Sequence, residues 1–429
     1  MPHRSALLVI AVLAILAYLP AFKLSFIADD FPQIQMSRTL DRPGGFSGLM
    51  ASPIANTRIT FFLLTYVVDR AAGLNPEIFH GVAVGLHILA CWLVYALGVW
   101  RFVQRKIALI AACFFAVFEG HQEAVMWYSA VMETLLFLFG VGAIVCFIQW
   151  LNGKGWLWYG LAVLGFVLAL FSKESAYIFP VLMALPVIEM KSRSKAAGLV
   201  PFVLMAIGYV AWIALGRGEN PRFGDGSFAI SPHFPIVLAE SFGRLMFIWG
   251  LLAIIALAIF RAREYLRFGI YALLWMLIAL VPYSFLTYMN RVPSRHTYLA
   301  SVGLSLLVAA AMACIWERLG GRIVLVVAAA ILMTNVGILW KKKADQYRTR
   351  ALPTDMLINA VQHSDGAVHI RCFPYIPLVA EAAAREFGGT VVFEKDEQQN
   401  KNNGRCMNYW YKDALGRVRE VYVPPARLP

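Results

Sequence analysis

"LLVIAVLAILAYL", residues 7–19, is an unbroken apolar run, and its continuity decides the fold class. A strand of a membrane barrel alternates apolar and polar residues over about ten positions. This run and "VLVVAAAILM" (324–333) do not alternate, so both read as helices whose backbone groups are satisfied within the segment. Crossing the hydrocarbon core takes about 20 mostly apolar residues. Runs near that length recur at 6–22, 78–100, 107–118, 132–151, 155–171, 176–190, 197–215, 236–260, 268–288, 297–316 and 322–340. With 60% hydrophobic and only 15% charged residues in 429, the expectation is an all-α polytopic membrane protein of about eleven spans. Residues 1–22 are expected to stay as the first span, because no small-x-small cleavage site precedes the polar segment.

Charge gives the orientation. Lys and Arg collect in "RFVQRK" (101–106), "KSRSK" (191–195), "RAREYLR" (261–267) and "ERLGGR" (317–322), short loops that read as cytoplasmic. The net charge of +13 thus belongs to membrane orientation, and no basic patch interleaved with aromatics points to nucleic acid. A cytoplasmic N-terminus and eleven spans place the C-terminal end outside. Residues 58–72, "RITFFLLTYVVDRAA", are too polar at their ends to cross and are expected to lie in the interface. The Gly- and Pro-rich loop 216–235 reads as an external connector or a cover over a site.

At Trp340 the composition changes. "KKKADQYRTR" (341–350) opens a polar segment, so residues 1–340 are expected to form the membrane domain and 341–429 a small extracytoplasmic α/β domain. "VHIRC" (368–372) and "TVVFE" (390–394) are expected strands around a helix at "PLVAEAAAREF" (377–387). A hairpin is expected within 405–423. Cys372 and Cys406, the only pair in this segment, are expected to bond in an oxidising compartment. Cys91, Cys113, Cys146 and Cys314 lie in spans and read as buried thiols.

Four loops on the external side carry ionisable groups at one depth. "FIADDFPQI" (26–34) brings Asp29 and Asp30, and "EGHQEAVMWY" (119–128) brings His121 and Glu123. "FSKES" (171–175) adds Lys173 and Glu174, and "NRVPSRHTY" (290–298) adds Arg291, Arg295, His296 and Tyr298. A carboxylate can take the proton of an attacking hydroxyl, while cations grip a departing phosphate, Arg bidentately. Adjacent helical residues point about 100° apart, so only one of Asp29 and Asp30 can be the base. A divalent metal ion on Asp29 or Asp30 with His121 or Glu123 is the alternative use of these oxygens. Inside the spans charges are few: Glu240 and Arg244, four apart and readable as a pair, and Glu133.

With these residues in order, the chain resembles the GT-C superfamily of integral-membrane glycosyltransferases. The branch it resembles holds the protein O-mannosyltransferases and the tetratricopeptide-repeat transmembrane mannosyltransferases. The likeness rests on "ADDF" (28–31), Arg58, "NPEIFHGVAVGLHILACWLVYAL" (75–97), "HQEAVMWYSAVMETLLF" (121–137), "SKES" (172–175) and "SRHTYLASVGLSLL" (294–307), spread over residues 1–316. It implies a polyprenyl-phosphate sugar as donor, membrane lipid around the spans, and a site on the extracytoplasmic face, in a bacterium the periplasmic face of the inner membrane. It implies Asp29 as catalytic base with Asp30 beside it. Arg58, His121, Glu123, Lys173, Glu174, Arg291, Arg295, His296 and Tyr298 are the expected substrate-binding residues. His296 departs from the usual aromatic, and the tail lacks a helical repeat array, which leaves glycan, lipid or protein open as acceptor. A transporter or flippase of a lipid-linked or anionic substrate is the rival, although two matching halves with interrupted helices are not evident. A membrane anchor for the external tail is the third reading.

Overall fold

The protein is described by a computed structural model covering residues 3–215, 226–394 and 406–423. Among the described residues, seven helices are long and apolar enough to cross a membrane: His3–Lys23, Pro76–Val99, Tyr128–Leu151, Ser194–Leu215, Arg263–Tyr283, Ser301–Leu319 and Gly321–His363. Two bent pairs add to them, Arg105–Val117 with Glu119–Met126 and Phe234–Met246 with Trp249–Ile259. The shorter helices Trp156–Leu170 and Phe179–Glu189 fall on the two remaining apolar runs, so seven to nine of the eleven expected spans are long enough to cross. The chain is an all-α integral membrane protein with a small C-terminal sheet.

Three spans differ from their expected form. The run 236–260 is broken by a 70° bend, where Ile248 takes a positive φ of 66°. The run 268–288 stops being helical at Tyr283. The last span does not end near Trp340 but passes through a π-helical turn, Ile338–Lys343, into Ala344–His363. Composition shifts at 341 while the backbone does not, because neither Gly nor Pro stands between 338 and 352 to stop the helix. Residues 216–225 of the proposed cover loop lie outside the described residues.

Tyr128–Leu151 and Ser301–Leu319 form the centre of the bundle. Each buries 72% of its apolar window, against 17% for the peripheral Ser194–Leu215. Gly303 lets one central helix touch its neighbour: a Cβ there would lie 2.3 Å from the Ala272 carbonyl oxygen. Small residues at such contacts let backbones approach in an apolar medium, where hydrophobic force between helices is absent.

On the side where His3–Lys23 ends, the chain turns through Ala28, whose φ of 44° is costly for a residue with a Cβ, and enters the helix Asp30–Ser37. Ile59–Ala72 lies beside it. The two share a second apolar cluster with Phe26, Phe79 and Tyr128, to which the C-terminal helix adds Ala382 and Ala383. Burying each of these phenylalanines is worth about 2–3 kcal/mol.

The C-terminal sheet has the order β2-β1-β3-β4, with β1 Val368–Cys372, β2 Val391–Phe393, β3 Met407–Lys412 and β4 Val418–Val423. β1 and β2 are parallel, joined over the helix Pro377–Glu386, and the other pairs are antiparallel. A disulfide joins Cys372 to Cys406, with Cα atoms 5.6 Å apart. Closing a loop of 34 residues stabilises such a unit by about 3–4 kcal/mol in the chain-entropy picture.

This unit rests on the first loop, so the two lie on the same side of the bundle. Gln35 Nε2 donates to the Ala382 carbonyl at 3.0 Å. Arg38 grips Asp69 through two nitrogens at 2.7 Å and reaches Glu386 with a third. Both carboxylates are buried, with side-chain exposures of 5% and 7%, so Arg38→Ala leaves two anions without their cation. The docking is expected to weaken by about 2–3 kcal/mol, less than a fully buried pair because Arg38 itself is a third exposed. Amide exchange across 377–386 should then rise about 30- to 150-fold. Unchanged exchange there would remove the latch role.

Candidate functional site

The two adjacent carboxylates of the first loop are held in opposite ways. Asp30, fully buried, accepts from the Ile27 amide at 2.8 Å on one oxygen and from the Ser129 amide at 2.8 Å and the Ser129 hydroxyl on the other. It ties the loop to the start of the span Tyr128–Leu151. Burial lifts its carboxyl to about 7 even though Ser129 and Ile27 favour the charged form. Asp29 stands one residue earlier, partly exposed, and its side chain makes no hydrogen bond or ion pair among the described residues. Burial raises its carboxyl above the ordinary range, while Arg295, Arg350 and Arg58, in that order, pull it back.

Arg295 is positioned by Glu123, which pairs with its guanidinium and accepts its backbone amide at 3.2 Å and the Ser294 hydroxyl at 3.1 Å. Its head lies 5.2 Å from the centre of the Trp127 ring. The Trp127 ring nitrogen donates to the Ile27 carbonyl at 3.2 Å, so the indole is anchored to the loop that carries Asp29. Arg58 donates to both oxygens of Glu174, at 2.8 and 3.1 Å, and Thr57 joins at 3.1 Å. Burial opposes the Glu174 charge, but Arg58 and Lys173 outweigh it and its carboxyl stays low.

Lys173 turns inward. It pairs with Glu133 and lies 3.2 Å from His296 Nδ1. Glu133 also meets His296 and accepts from the Tyr283 hydroxyl at 2.8 Å, and Tyr283 shares a 2.8 Å hydrogen bond with Ser175. The Tyr283 and His296 rings stack at 4.4 Å. Burial, with Lys173 beside it, pushes His296 down to about 3, so this ring is neutral and adds no cation to the arginines. Burial likewise lowers Lys173, against the pull of Glu133.

Two expected site residues sit deeper. His121 is fully buried, bonded to Ser301 Oγ at 2.6 Å, with its ring 4.5 Å from that of Tyr298. Tyr298 is 1% exposed and its hydroxyl meets His87 Nδ1 at 2.7 Å. Both brace the loops from the core side and do not face the arginines. Arg291 is exposed. Arg244 does not pair with Glu240 but donates to the Val292 carbonyl at 3.1 Å. The donor set considered for a divalent metal ion does not converge. Asp30 is spent on the loop, His121 on Ser301 and Glu123 on Arg295, and no cluster of three His, Cys, Asp or Glu suited to a metal occurs among the described residues.

Three participants escaped the loop-by-loop reading. Glu133 is a carboxylate inside a span, which by default deserves a named partner. Trp127 carries two arginine heads, and Arg350 is one of them, its guanidinium 4.9 Å from the ring centre. Arg350 shares a helix face with Lys343 and Tyr347, at spacings of seven and three residues.

No family profile and no curated protein matches the sequence. Among solved structures, the archaeal oligosaccharyltransferase AglB from Archaeoglobus fulgidus, in complex with an inhibitory peptide and a dolichol-phosphate, matches at 12% identity and TM-score 0.53. The match covers 85% of this chain and 58% of that one. ArnT from Cupriavidus metallidurans bound to undecaprenyl phosphate matches at 12% identity and TM-score 0.51, over 92% of this chain and 86% of that one. The chain spans somewhat over half the length of the archaeal oligosaccharyltransferases it matches. The likeness is one of fold: the chain shares the helical arrangement of these membrane proteins, and the matches do not single out the mannosyltransferase branch.

Proposed function

We propose that the protein is a glycosyltransferase that moves a sugar from a polyprenyl-phosphate donor to a hydroxyl acceptor on the extracytoplasmic face of a membrane. The observation that carries the reading is Asp29: a partly exposed carboxylate without a hydrogen-bond partner among the described residues, within electrostatic reach of Arg295, Arg350 and Arg58 at the edge of an apolar bundle. The fold neighbours named above hold a dolichol-phosphate and an undecaprenyl phosphate, which supports a donor of that class. The acceptor oxygen forms its bond to the anomeric carbon as the bond from that carbon to the phosphate oxygen breaks. The acceptor proton passes to Asp29, and the lipid phosphate leaves as an anion held by arginine. A phosphate leaving group is a weak base and needs no general acid.

The other expected residues take supporting roles in this reading. Glu123 aims Arg295, Glu174 aims Arg58, and Asp30 holds the turn that presents Asp29. Loop charge puts these groups outside, and the contact of the C-terminal unit with the first loop agrees with the external placement of 341–429. Glycan, lipid and protein acceptors remain equally compatible with the site.

Mass spectrometry of lipid that copurifies with the full chain, followed by an assay in proteoliposomes holding that lipid, tests the proposal. A polyprenyl-phosphate sugar that is consumed with release of polyprenyl phosphate is the expected result. A lipid that crosses the bilayer with its sugar intact would overturn it in favour of the transporter reading.

A further inference from the structure

Among the described residues, Arg58, Arg295 and Arg350 act on Asp29, Lys173 lies next to the Arg58 partner Glu174, and all but Arg350 are neutralised. Arg58 is paired with Glu174, Lys173 with Glu133 and Arg295 with Glu123. Arg350 has no carboxylate partner among the described residues. Its head is nevertheless placed, stacked on Trp127 at 4.9 Å and over Tyr347 at 5.2 Å. The Tyr347 and Tyr375 hydroxyls also meet this guanidinium, and with five N–H donors it keeps others for an oxyanion. The backbone beneath it is held as well, since the Tyr375 hydroxyl donates to the Arg350 carbonyl. Four residues on, the Thr354 hydroxyl donates to the Phe26 carbonyl at 3.3 Å, three positions before Asp29.

We propose that Arg350, from the helix that leads into the C-terminal sheet, is a phosphate-binding residue of the donor site and acts with Arg295 across the shared Trp127 ring. The proposal rests on the polyprenyl-phosphate reading and deepens it: the C-terminal segment completes the donor site instead of merely following the membrane domain. Arg295 beside Glu123 is a nearly neutral pair. Arg350 supplies the net positive charge that a phosphate entering beside Asp29 requires, because an anion approaching a carboxylate is otherwise repelled. The same placement explains why the sheet unit is latched to the first loop by Arg38, since a shift of that unit moves the helix carrying Arg350.

The test uses the full chain in one detergent, with undecaprenyl phosphate and undecaprenol as probes, the second lacking only the phosphate. Wild-type protein is expected to prefer the phosphate. Arg350→Gln is expected to weaken phosphate binding about tenfold and Arg350→Lys about threefold, with undecaprenol binding unchanged. Because a variant can fold poorly, an arginine-selective dicarbonyl is applied to wild-type protein in parallel. Labelling of Arg350 should be blocked by undecaprenyl phosphate and not by undecaprenol. A wild-type preference for the phosphate that survives Arg350→Gln, or labelling of Arg350 that the phosphate does not block, overturns this proposal and leaves the donor reading standing. No preference in wild-type protein overturns both.

Discussion

Asp29→Asn is expected to lower sugar transfer by about 10²–10⁴-fold, or roughly 3–5.5 kcal/mol of barrier, while the protein stays folded and keeps its donor lipid. Asn matches Asp in size, and the Asp29 side chain holds nothing together, so the fold has no stake in its charge. What disappears is the acceptor for the proton of the attacking hydroxyl. Donor binding should not fall, because removing an anion next to Arg295 and Arg350 frees those cations for phosphate. A kcat that falls with little change in KM for the donor is therefore the expected signature. The acid limb of the wild-type profile should lie above the ordinary carboxylate range. Burial raises this group, and the base works only above its own pKa. Transfer within about threefold of wild type would remove Asp29 from the chemistry.

Asp30→Asn separates the two neighbours by a different readout. The Asp30 oxygens accept from the Ile27 amide on one side and from Ser129 on the other. An amide nitrogen in either place sets donor against donor in a fully buried site. This variant is expected to lose stability, about 1–3 kcal/mol, before any change in the chemical step can be read. Burial also ties stability to pH here. The native carboxyl is raised to about 7, so the Asp30 contribution is fully present below the ordinary Asp pKa and is lost as pH rises through about 7.

The bundle was legible because each span is a continuous apolar run, and the common depth of the loops carrying Asp29, Glu123, Lys173 and Arg295 was legible from where those runs stop. Partners were not. Arg58 and Glu174 are 116 residues apart, and Arg295 and Glu123 are 172 apart, so a residue's place at a membrane edge says nothing about whom it meets. His121 and Tyr298 share that edge depth, yet they face the core instead of the arginines. The difference lies in which way each 3₁₀ turn points its side chains, which apolar periodicity does not encode. Arg350 was hidden by the lysine run 341–343, which looks like the end of a span while the helix continues beneath it. Asp29 and Asp30 are indistinguishable by composition, and only the donors around Asp30 tell them apart.

Glu133→Gln is expected to cost about 3–5 kcal/mol of stability, because it leaves the Lys173 ammonium buried without its anion. Glu133 is 3% exposed and joins four groups from three segments: Lys173, His296, Tyr283 and, through Tyr283, Ser175 of the Lys173 turn. The neutral His296 cannot replace the lost charge and cannot repel the lysine strongly either, so the defect is concentrated on Lys173. Its pKa, already lowered by burial, falls further when the attraction of Glu133 is gone. The native state then binds fewer protons than the unfolded one over a wider window below the ordinary lysine value. The deficit of the variant should therefore shrink as pH is raised towards that value. Glu133→Gln combined with Lys173→Met removes both charges and is expected to recover at least half of the loss, since a buried pair replaced by neutral groups is far less costly than one broken. Thermal unfolding of the full chain in one detergent, across pH, measures all three. A loss below about 1 kcal/mol with no rescue in the double variant would mean that the ammonium finds water or another anion. If the loss and the rescue both appear, this network is the rigid floor beneath the Lys173–Glu174 loop, and through Glu174 it holds Arg58 towards Asp29.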